Sequence, residues 1–564
     1  MSEFAQKYQE LYDRLVSPVE SFYKHERERP NAVCYVQPYP DGSLVEYTWA
    51  EVGQKVRSLA AYLKSLNFEP GSRIALLSTN CAYWIISDLA IWMAGHVSVP
   101  IYPVLTAKSI KQILDHSEAS AIFVGKLEGW EGMQDGVADH IAKIGFPLSP
   151  QSVRDNHITV DKIFTEQAPL TDNYCPALED VATIIYTSGT TGMPKGVMHS
   201  FRNLALVGTL AGEMYDVGPN DRKLSYLPLA HVAERASIEV NQMYYGYTLY
   251  FANTLETFAD DLRRARPTIF VAVPRIWLKL QQRVLEKVNA DDLQALLADE
   301  NSREATQAAL LGALGLDELR IGLSGAAPLS TALSAWYLSL GVELLECYAM
   351  SENFAYSHAT RSGEAKIGYV GTPCNYVTCK LSEVGEILIH SPATMLGYYK
   401  EPGKTAEAIN EDGFLHTGDK GQFDELGRLR ITGRVKELFK TSKGKFVAPA
   451  PIEDMLMHNL AVEHVCVMGS GMAAPIALIV LSEAAVELPQ DEVKASLGAI
   501  LKSTNSQLDK HENLSHIAVM KEEWTVENSL MTPTLKVKRA ELESRYADQI
   551  EGWATQPKGV VFEI

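Results

Sequence analysis

Between residues 186 and 197 the chain reads Tyr-Thr-Ser-Gly-Thr-Thr-Gly-Met-Pro-Lys-Gly-Val. Gly189 and Gly192 let the backbone turn tightly, so that successive N–H groups converge on an anion. Thr187, Ser188, Thr190 and Thr191 add hydroxyl donors, and Lys195 adds a point charge suited to phosphate. Such a loop fits a polyphosphate. It is not the common phosphate loop, where Gly-Lys-Ser/Thr follows four spacer residues. Here Lys195 precedes Gly196, and Val197 stands where a magnesium-binding hydroxyl would sit. The plain alternative is a Ser/Thr/Gly-rich surface turn, and the ordering of the string argues against it.

The string resembles the signature loop of the adenylate-forming superfamily: acyl-CoA synthetases, peptide-synthetase adenylation domains and luciferases. Further segments resemble the superfamily's motifs in its own order. Leu224-Ser-Tyr-Leu-Pro-Leu-Ala-His231 is similar to a string that, in long-chain members, ends a strand beside the carboxylate substrate, and the resemblance gives that contact to His231. Gly325, Ala326 and Ala327 are small enough for a flat ring to lie against backbone, and the resemblance puts them in an adenine pocket. Tyr348-Ala-Met-Ser-Glu352 is similar to Tyr-Gly-x-Thr-Glu, with Ala349 and Ser351 replacing glycine and threonine. It implies that Tyr348 stacks on adenine, Ser351 meets the α-phosphate and Glu352, with Thr190, binds magnesium. One carboxylate suffices, because magnesium takes phosphate oxygens and water for its other ligands.

Thr417-Gly-Asp419 matches the superfamily's ribose-binding aspartate, Arg434 its second ribose contact and Lys436 its hinge. The resemblance also suggests a CoA tunnel whose basic mouth includes Lys443, Gly444 and Lys445; solvated lysines on a turn are the plain alternative. Leu530-Met-Thr-Pro-Thr-Leu-Lys536 resembles the Leu-Thr-Pro-Thr-x-Lys of long-chain ligases and makes Lys536 the catalytic lysine. Leu535 stands where many relatives carry glycine, and Lys538 is the alternative register.

The resemblance implies an ATP-dependent ligase that turns a fatty, long-chain carboxylic acid into its acyl-adenylate and then its CoA thioester. ATP, magnesium and CoA are the implied cofactor and co-substrates. An acyl-AMP ligase serving a carrier protein, and a catalytically silent nucleotide sensor, are the alternatives. Catalytic roles fall to Lys536, Glu352 and His231.

These residues need a frame. Strands at Arg73–Ser78, Val97–Ile101 and Ala119–Val124 alternate with helices at Ala82–Ala94 and Lys108–His116, the pattern of parallel βαβ units. Ligands of such sheets bind beyond the carboxyl ends of the strands, where the loop after Tyr186 lies. Thr48 three residues before Glu51 has capping-box spacing and predicts a helix start. The acidic, Ala/Leu-rich stretch 286–313 reads as a solvated helical insertion. The expected fold is α/β. A large N-terminal domain with doubly wound mixed/parallel sheets spans 1–433, a hinge follows at 434–436, and a small mobile α+β domain spans 437–564.

Formal charge is 51 − 70 = −19, which leaves no electrostatic footprint for nucleic acid. Seven dispersed cysteines without CxxC spacing argue against a disulfide framework and a zinc site, and fit a reduced cytoplasmic setting. The most apolar window, Tyr83 to Leu105, is interrupted by Asp88, Gly95, His96, Pro100 and Pro103, unlike a membrane span. Phe4, Tyr8, Leu11, Tyr12 and Leu15 recur at helical spacing; the helix is expected to pack on the body, with weak peripheral contact at the inner membrane face as the second reading.

Overall fold

Thr48 accepts the Glu51 backbone N–H while the Glu51 carboxylate accepts the Thr48 N–H at 2.8 Å, so the predicted capping box starts the helix Trp49–Ser65. The computed structural model describes residues 3–187, 194–327, 329–532, 536–554 and 556–563. Ser188, Gly189, Thr190, Thr191 and Gly192 lie outside the described residues. Two compact units are present: Met1–Cys379 with Ile389–Leu415, and Lys380–Leu388 with His416–Ile564.

The first unit contains an eight-stranded sheet. Strands Val181–Thr187, Val97–Ile101, Arg73–Leu77, Ala119–Val124, Ala142–Gly145 and Ile158–Thr159 run parallel in that spatial order. The central parallel strands Arg73–Leu77, Val97–Ile101 and Ala119–Val124 are mostly apolar and buried at successive residues, as strands covered on both faces are; the helix Ala82–Met93 is buried on every side. Beyond Val181–Thr187 the sheet turns antiparallel. Thr187 pairs with Lys195, and Lys195–Ser200 forms the return strand of a hairpin. The glycine-rich string therefore connects two antiparallel strands rather than a strand and a helix. The next helix, Phe201–Met214, starts at its own capping box, Ser200 with Asn203.

A five-stranded sheet carries Ile269–Ala272, Ile321–Gly325 and Leu344–Tyr348 in parallel, and a four-stranded sheet carries Arg222–Ser225, Thr248–Phe251, Val33–Pro38 and Leu44–Thr48. The acidic insertion forms helices Ala290–Ala298 and Arg303–Leu314, which bury Leu293 and Leu314. The N-terminal helix Glu3–Tyr12 packs on the body: Tyr8 and Leu11 are buried, and the Tyr8 hydroxyl donates to the Tyr376 carbonyl at 3.1 Å. Among the described residues no helix is long and apolar enough to cross a membrane.

In the second unit a sheet of Val462–Met468, Ile476–Leu481, His516–Val519 and Gly559–Phe562 is sandwiched by apolar side chains of alternating residues. Val467, Ala477, Ile479 and Ile517 face one core; Cys466, Met468, Leu478 and Ala518 face the other. The helix Pro449–Met457 packs against strand Leu429–Arg434, so residues 416–434 group with this unit, and the turn 435–437 lies within it.

Candidate functional site

Lys195 is the first residue of the hairpin's return strand, so the sheet fixes its backbone at the exit of the glycine-rich string. Its ammonium lies 4.8 Å from the ring centroid of Tyr398. The Tyr398 hydroxyl donates to Glu352 Oε1 at 2.8 Å. Glu352 sits in the single turn Ser351–Asn353, and the backbone around that turn is bonded from two sides. The Met395 N–H donates to the Glu352 carbonyl at 2.8 Å, and His199 Nε2 donates to the Ser351 carbonyl at 2.7 Å. His199 is buried, and that burial pulls its pKa down to about 4, which leaves a neutral ring with its proton on Nε2. The next residues, Phe354 and Ala355, have left-handed backbones (φ 48° and 57°) that turn the chain away.

The Gly325 and Tyr348 segments are neighbours by strand pairing. Gly325 stands opposite Cys347 in the parallel pair, and a Cβ on Gly325 would lie 3.2 Å from the Cys347 carbonyl oxygen. Ala326 (φ 66°) and Ala327 are exposed just past one strand end, while Tyr348 and Ala349 are half-buried at the other. The two candidate adenine-binding segments thus leave the sheet together, at the carboxyl ends of parallel strands, where such sheets take ligands.

His231 caps the short helix Val232–Glu234; its Nδ1 accepts the Ala233 N–H at 3.1 Å. An accepting Nδ1 puts the ring proton on Nε2, a donor suited to a carboxylate. The turn before it is clamped by two buried side chains. Asn80 donates to the Leu227 carbonyl at 2.6 Å and accepts the Leu229 N–H at 3.1 Å. Glu234 Oε1 accepts from Ser225 Oγ (2.8 Å), the Tyr226 N–H (3.0 Å) and Asn80 Nδ2 (3.2 Å), and burial pushes its carboxyl up to about 8. The chain then enters a π-helix, Arg235–Val240. Arg235 is buried with Asp88 and Glu239 as ion partners, a 3.3 Å bond to Ser98 Oγ, and Trp84 and Trp92 rings 5.2 and 5.7 Å away.

In the second unit, Asp419 and Arg434 face each other across an antiparallel pair, and Arg434 Nε lies 3.0 Å from Asp419 Oδ1. The two expected ribose contacts thus occupy one spot on one sheet. Lys436 is in the turn that follows. Lys443, Gly444 and Lys445 form the exposed turn of the hairpin Phe439–Lys440/Phe446–Val447. Gly444 has φ 74° and open space where a Cβ would stand, so its left-handed turn explains the glycine without a close neighbour. Lys536 is exposed on one arm of a second hairpin: its N–H donates to Thr532 Oγ1 at 3.0 Å, and Met531 bridges Val537. Lys538 is half-buried, its N–H tied to the Leu530 carbonyl at 2.9 Å as it caps helix Arg539–Arg545. Of the two lysines, Lys536 is the more exposed.

Among the described residues no three His, Cys, Asp or Glu side chains converge to hold a metal unaided. Glu352 alone, half-buried and with a single tyrosine on one oxygen, fits a magnesium ion whose remaining ligands are phosphate oxygens and water. All seven cysteines are free.

Tyr398, His199, Asn80 and Glu234 escape motif reading. Their partners lie 46, 152, 149 and 8 or 9 positions away, and each looks like ordinary core polarity in isolation. The one local signal is that a buried tyrosine hydroxyl needs a partner.

An AMP-binding enzyme family model matches residues 22–399, and an AMP-binding enzyme C-terminal domain model matches residues 437–556. Fatty acyl-CoA synthetase A of Dictyostelium discoideum is 30% identical over 91% of this chain and 86% of its own. A long-chain-fatty-acid–CoA ligase of Mycobacterium bovis is 30% identical over 94% of this chain and 95% of its own. Among solved structures, the adenylation domain of a carboxylate reductase from Mycobacterium chelonae shares the fold. It has a TM-score of 0.80 at 22% identity, over 96% of this chain and 91% of that one.

Proposed function

The chain belongs to the AMP-binding enzyme family, and from that premise we propose that it is an AMP-forming acyl-CoA synthetase that activates a long-chain fatty acid. What supports the substrate class is identity of about 30% to fatty-acid–CoA ligases along nearly the whole of both chains. The observation that carries the chemistry is the corner where Lys195 and Glu352 meet one tyrosine, a phosphate-binding cation and a metal-binding carboxylate brought together from distant sequence.

The reaction has two displacements. A carboxylate oxygen of the acid attacks the α-phosphorus of ATP; the bond to the β-phosphate oxygen breaks and pyrophosphate leaves. The CoA sulfur then attacks the acyl carbon, the bond to the AMP oxygen breaks, and the thiol proton is lost to solvent. No protein nucleophile is needed, so positioning and charge stabilisation carry the first step. His231 orients the acid through Nε2–H. Lys195 and the glycine-rich string cradle the phosphates. Tyr348 and the Gly325–Ala327 backbone hold adenine, with Ser351 at the α-phosphate, and Asp419 with Arg434 holds ribose. Glu352 would hold magnesium, which when bound would screen the phosphate charge. Lys536 neutralises charge on the carboxylate and α-phosphate as the transition state forms. The turn at 434–436 is the proposed pivot that alternates Lys536 and the Lys443–Lys445 turn at the adenylate.

The test is a panel of fatty acids of increasing length, with ATP, magnesium and CoA. Acid-dependent pyrophosphate release matched by acyl-CoA formation is expected. Pyrophosphate release without thioester would point to another acyl acceptor, and no release with any acid would refute the ligase assignment.

A further inference from the structure

Lys195 and Glu352 are opposite charges gathered at one half-buried corner, and such groups ordinarily collapse into an ion pair. A collapsed pair would present neither charge to a ligand. Here Tyr398 stands between them. The ring takes the ammonium on its face, 4.8 Å from the centroid, and the hydroxyl takes the carboxylate at its tip, 2.8 Å away. Among the described residues neither Lys195 nor Glu352 lies in an ion pair. The ring is only 6% exposed and has little freedom to leave.

The chain around Tyr398 binds the elements that carry both charges. Leu396 donates its N–H to the Met198 carbonyl at 2.9 Å, and Tyr399 donates to the Gly196 carbonyl at 2.8 Å, both on the Lys195 strand. Met395 donates to the Glu352 carbonyl at 2.8 Å. The Tyr398 N–H is itself held by Thr405 Oγ1 at 2.9 Å. Residues 395–399 are therefore a strap joining the phosphate-loop exit to the carboxylate turn, with the phenol as its spacer.

We propose that Tyr398 is a positioning residue that holds the Lys195 ammonium and the Glu352 carboxylate apart, so that each stays available to the metal–nucleotide. The inference rests on the adenylating function proposed above. The phenol plays no part in bond making. Its hydroxyl orients the carboxylate toward the metal, and its face holds the cation toward phosphate, so its two ends have separable effects.

Tyr398→Phe removes the hydroxyl and keeps the face; Tyr398→Leu removes both. For each purified full-length variant, ATP binding is measured by calorimetry across a magnesium series, AMP binding is measured in EDTA, and pyrophosphate release gives KM and kcat. Loss of a partner that orients a metal ligand weakens metal binding by roughly tenfold to a hundredfold. The expected result for Tyr398→Phe is a magnesium half-saturation raised by that factor, restored by excess magnesium, with metal-free AMP binding as in the wild type. Tyr398→Leu should in addition weaken ATP binding by roughly twofold to fivefold, the worth of an exposed cation–π contact. A wild-type magnesium dependence in Tyr398→Phe would overturn the proposal. So would a uniform fall in activity and melting temperature that excess magnesium does not relieve. A wild-type protein that releases no pyrophosphate with any acid would instead defeat the functional reading underneath.

Discussion

Two regions present candidate catalytic groups in opposite ways. In the first unit, His231 and Glu352 rise from backbone that buried polar side chains hold in place: Asn80 and Glu234 under one, His199 and Tyr398 beside the other. In the second unit, Lys536 stands exposed on a hairpin arm, and the Lys443–Lys445 turn is exposed as well. Groups that must hold a ligand through both half-reactions need a fixed frame. Groups that must reach an adenylate in turn need open faces and a pivot, because elements that move are drawn from the less stabilised parts of a fold.

The largest break in that comparison is expected at Lys536. Lys536→Ala removes the charge proposed to act in the transition state, and adenylation should fall by more than a hundredfold, about 3 kcal/mol, with little change in melting temperature. Thioester formation from supplied acyl-adenylate should survive. Acyl-AMP formed at the wild-type rate, with the loss appearing in Lys538→Ala instead, would put the catalytic register two residues on.

Lys436→Pro tests the pivot and should be milder. Proline fixes φ near −65° and removes one donor. Pyrophosphate release from ATP and fatty acid should persist, while conversion of acyl-adenylate to acyl-CoA slows by roughly tenfold to a hundredfold, the cost of misplacing reacting groups. Equal loss in both half-reactions would mean damage rather than locking; no loss in either would move the pivot outside 434–436.

The smallest effect belongs to the fixed frame, and it is read in stability. His199 is pushed down to about 4 by burial, against an ordinary value near 6.5. Between those values the unfolded chain binds the extra proton. His199 therefore lets stability stand in full above pH 6.5 and removes it as pH falls toward 4, at up to about 1.4 kcal/mol per unit. His199→Gln keeps a donor without titrating, so its urea midpoint should fall less steeply from pH 6.5 to 4.5. Parallel slopes for the two proteins would show that His199 does not titrate there.

The sequence makes the fold legible wherever the governing contacts are local. The Thr48–Glu51 box and the strands Val97–Ile101 and Ala119–Val124 follow from neighbours a few residues apart. The hairpin return at Lys195–Ser200 was not legible, because a glycine-rich string after a buried strand equally suits a strand-to-helix turn. The grouping of residues 416–434 with the second unit depends on a helix that begins at Pro449. Asp419 and Arg434 are visible as motifs, but their facing register is set by a bulge between Lys420 and Gly421. Asn80 and Tyr398 carry no pattern because their partners are settled only by packing.

The buried group of Arg235, Asp88 and Glu239 carries a lesson about descent rather than catalysis. Removing Arg235 strands two buried carboxyl groups without their cation, whereas replacing all three members with matching apolar side chains is often tolerated. A single step at Arg235 descends steeply even where joint replacement of the group would lie on level ground. Arg235 is therefore a lock on redesign: a designer who wishes to remodel the neighbourhood of the His231 turn must exchange the arginine together with its two acids.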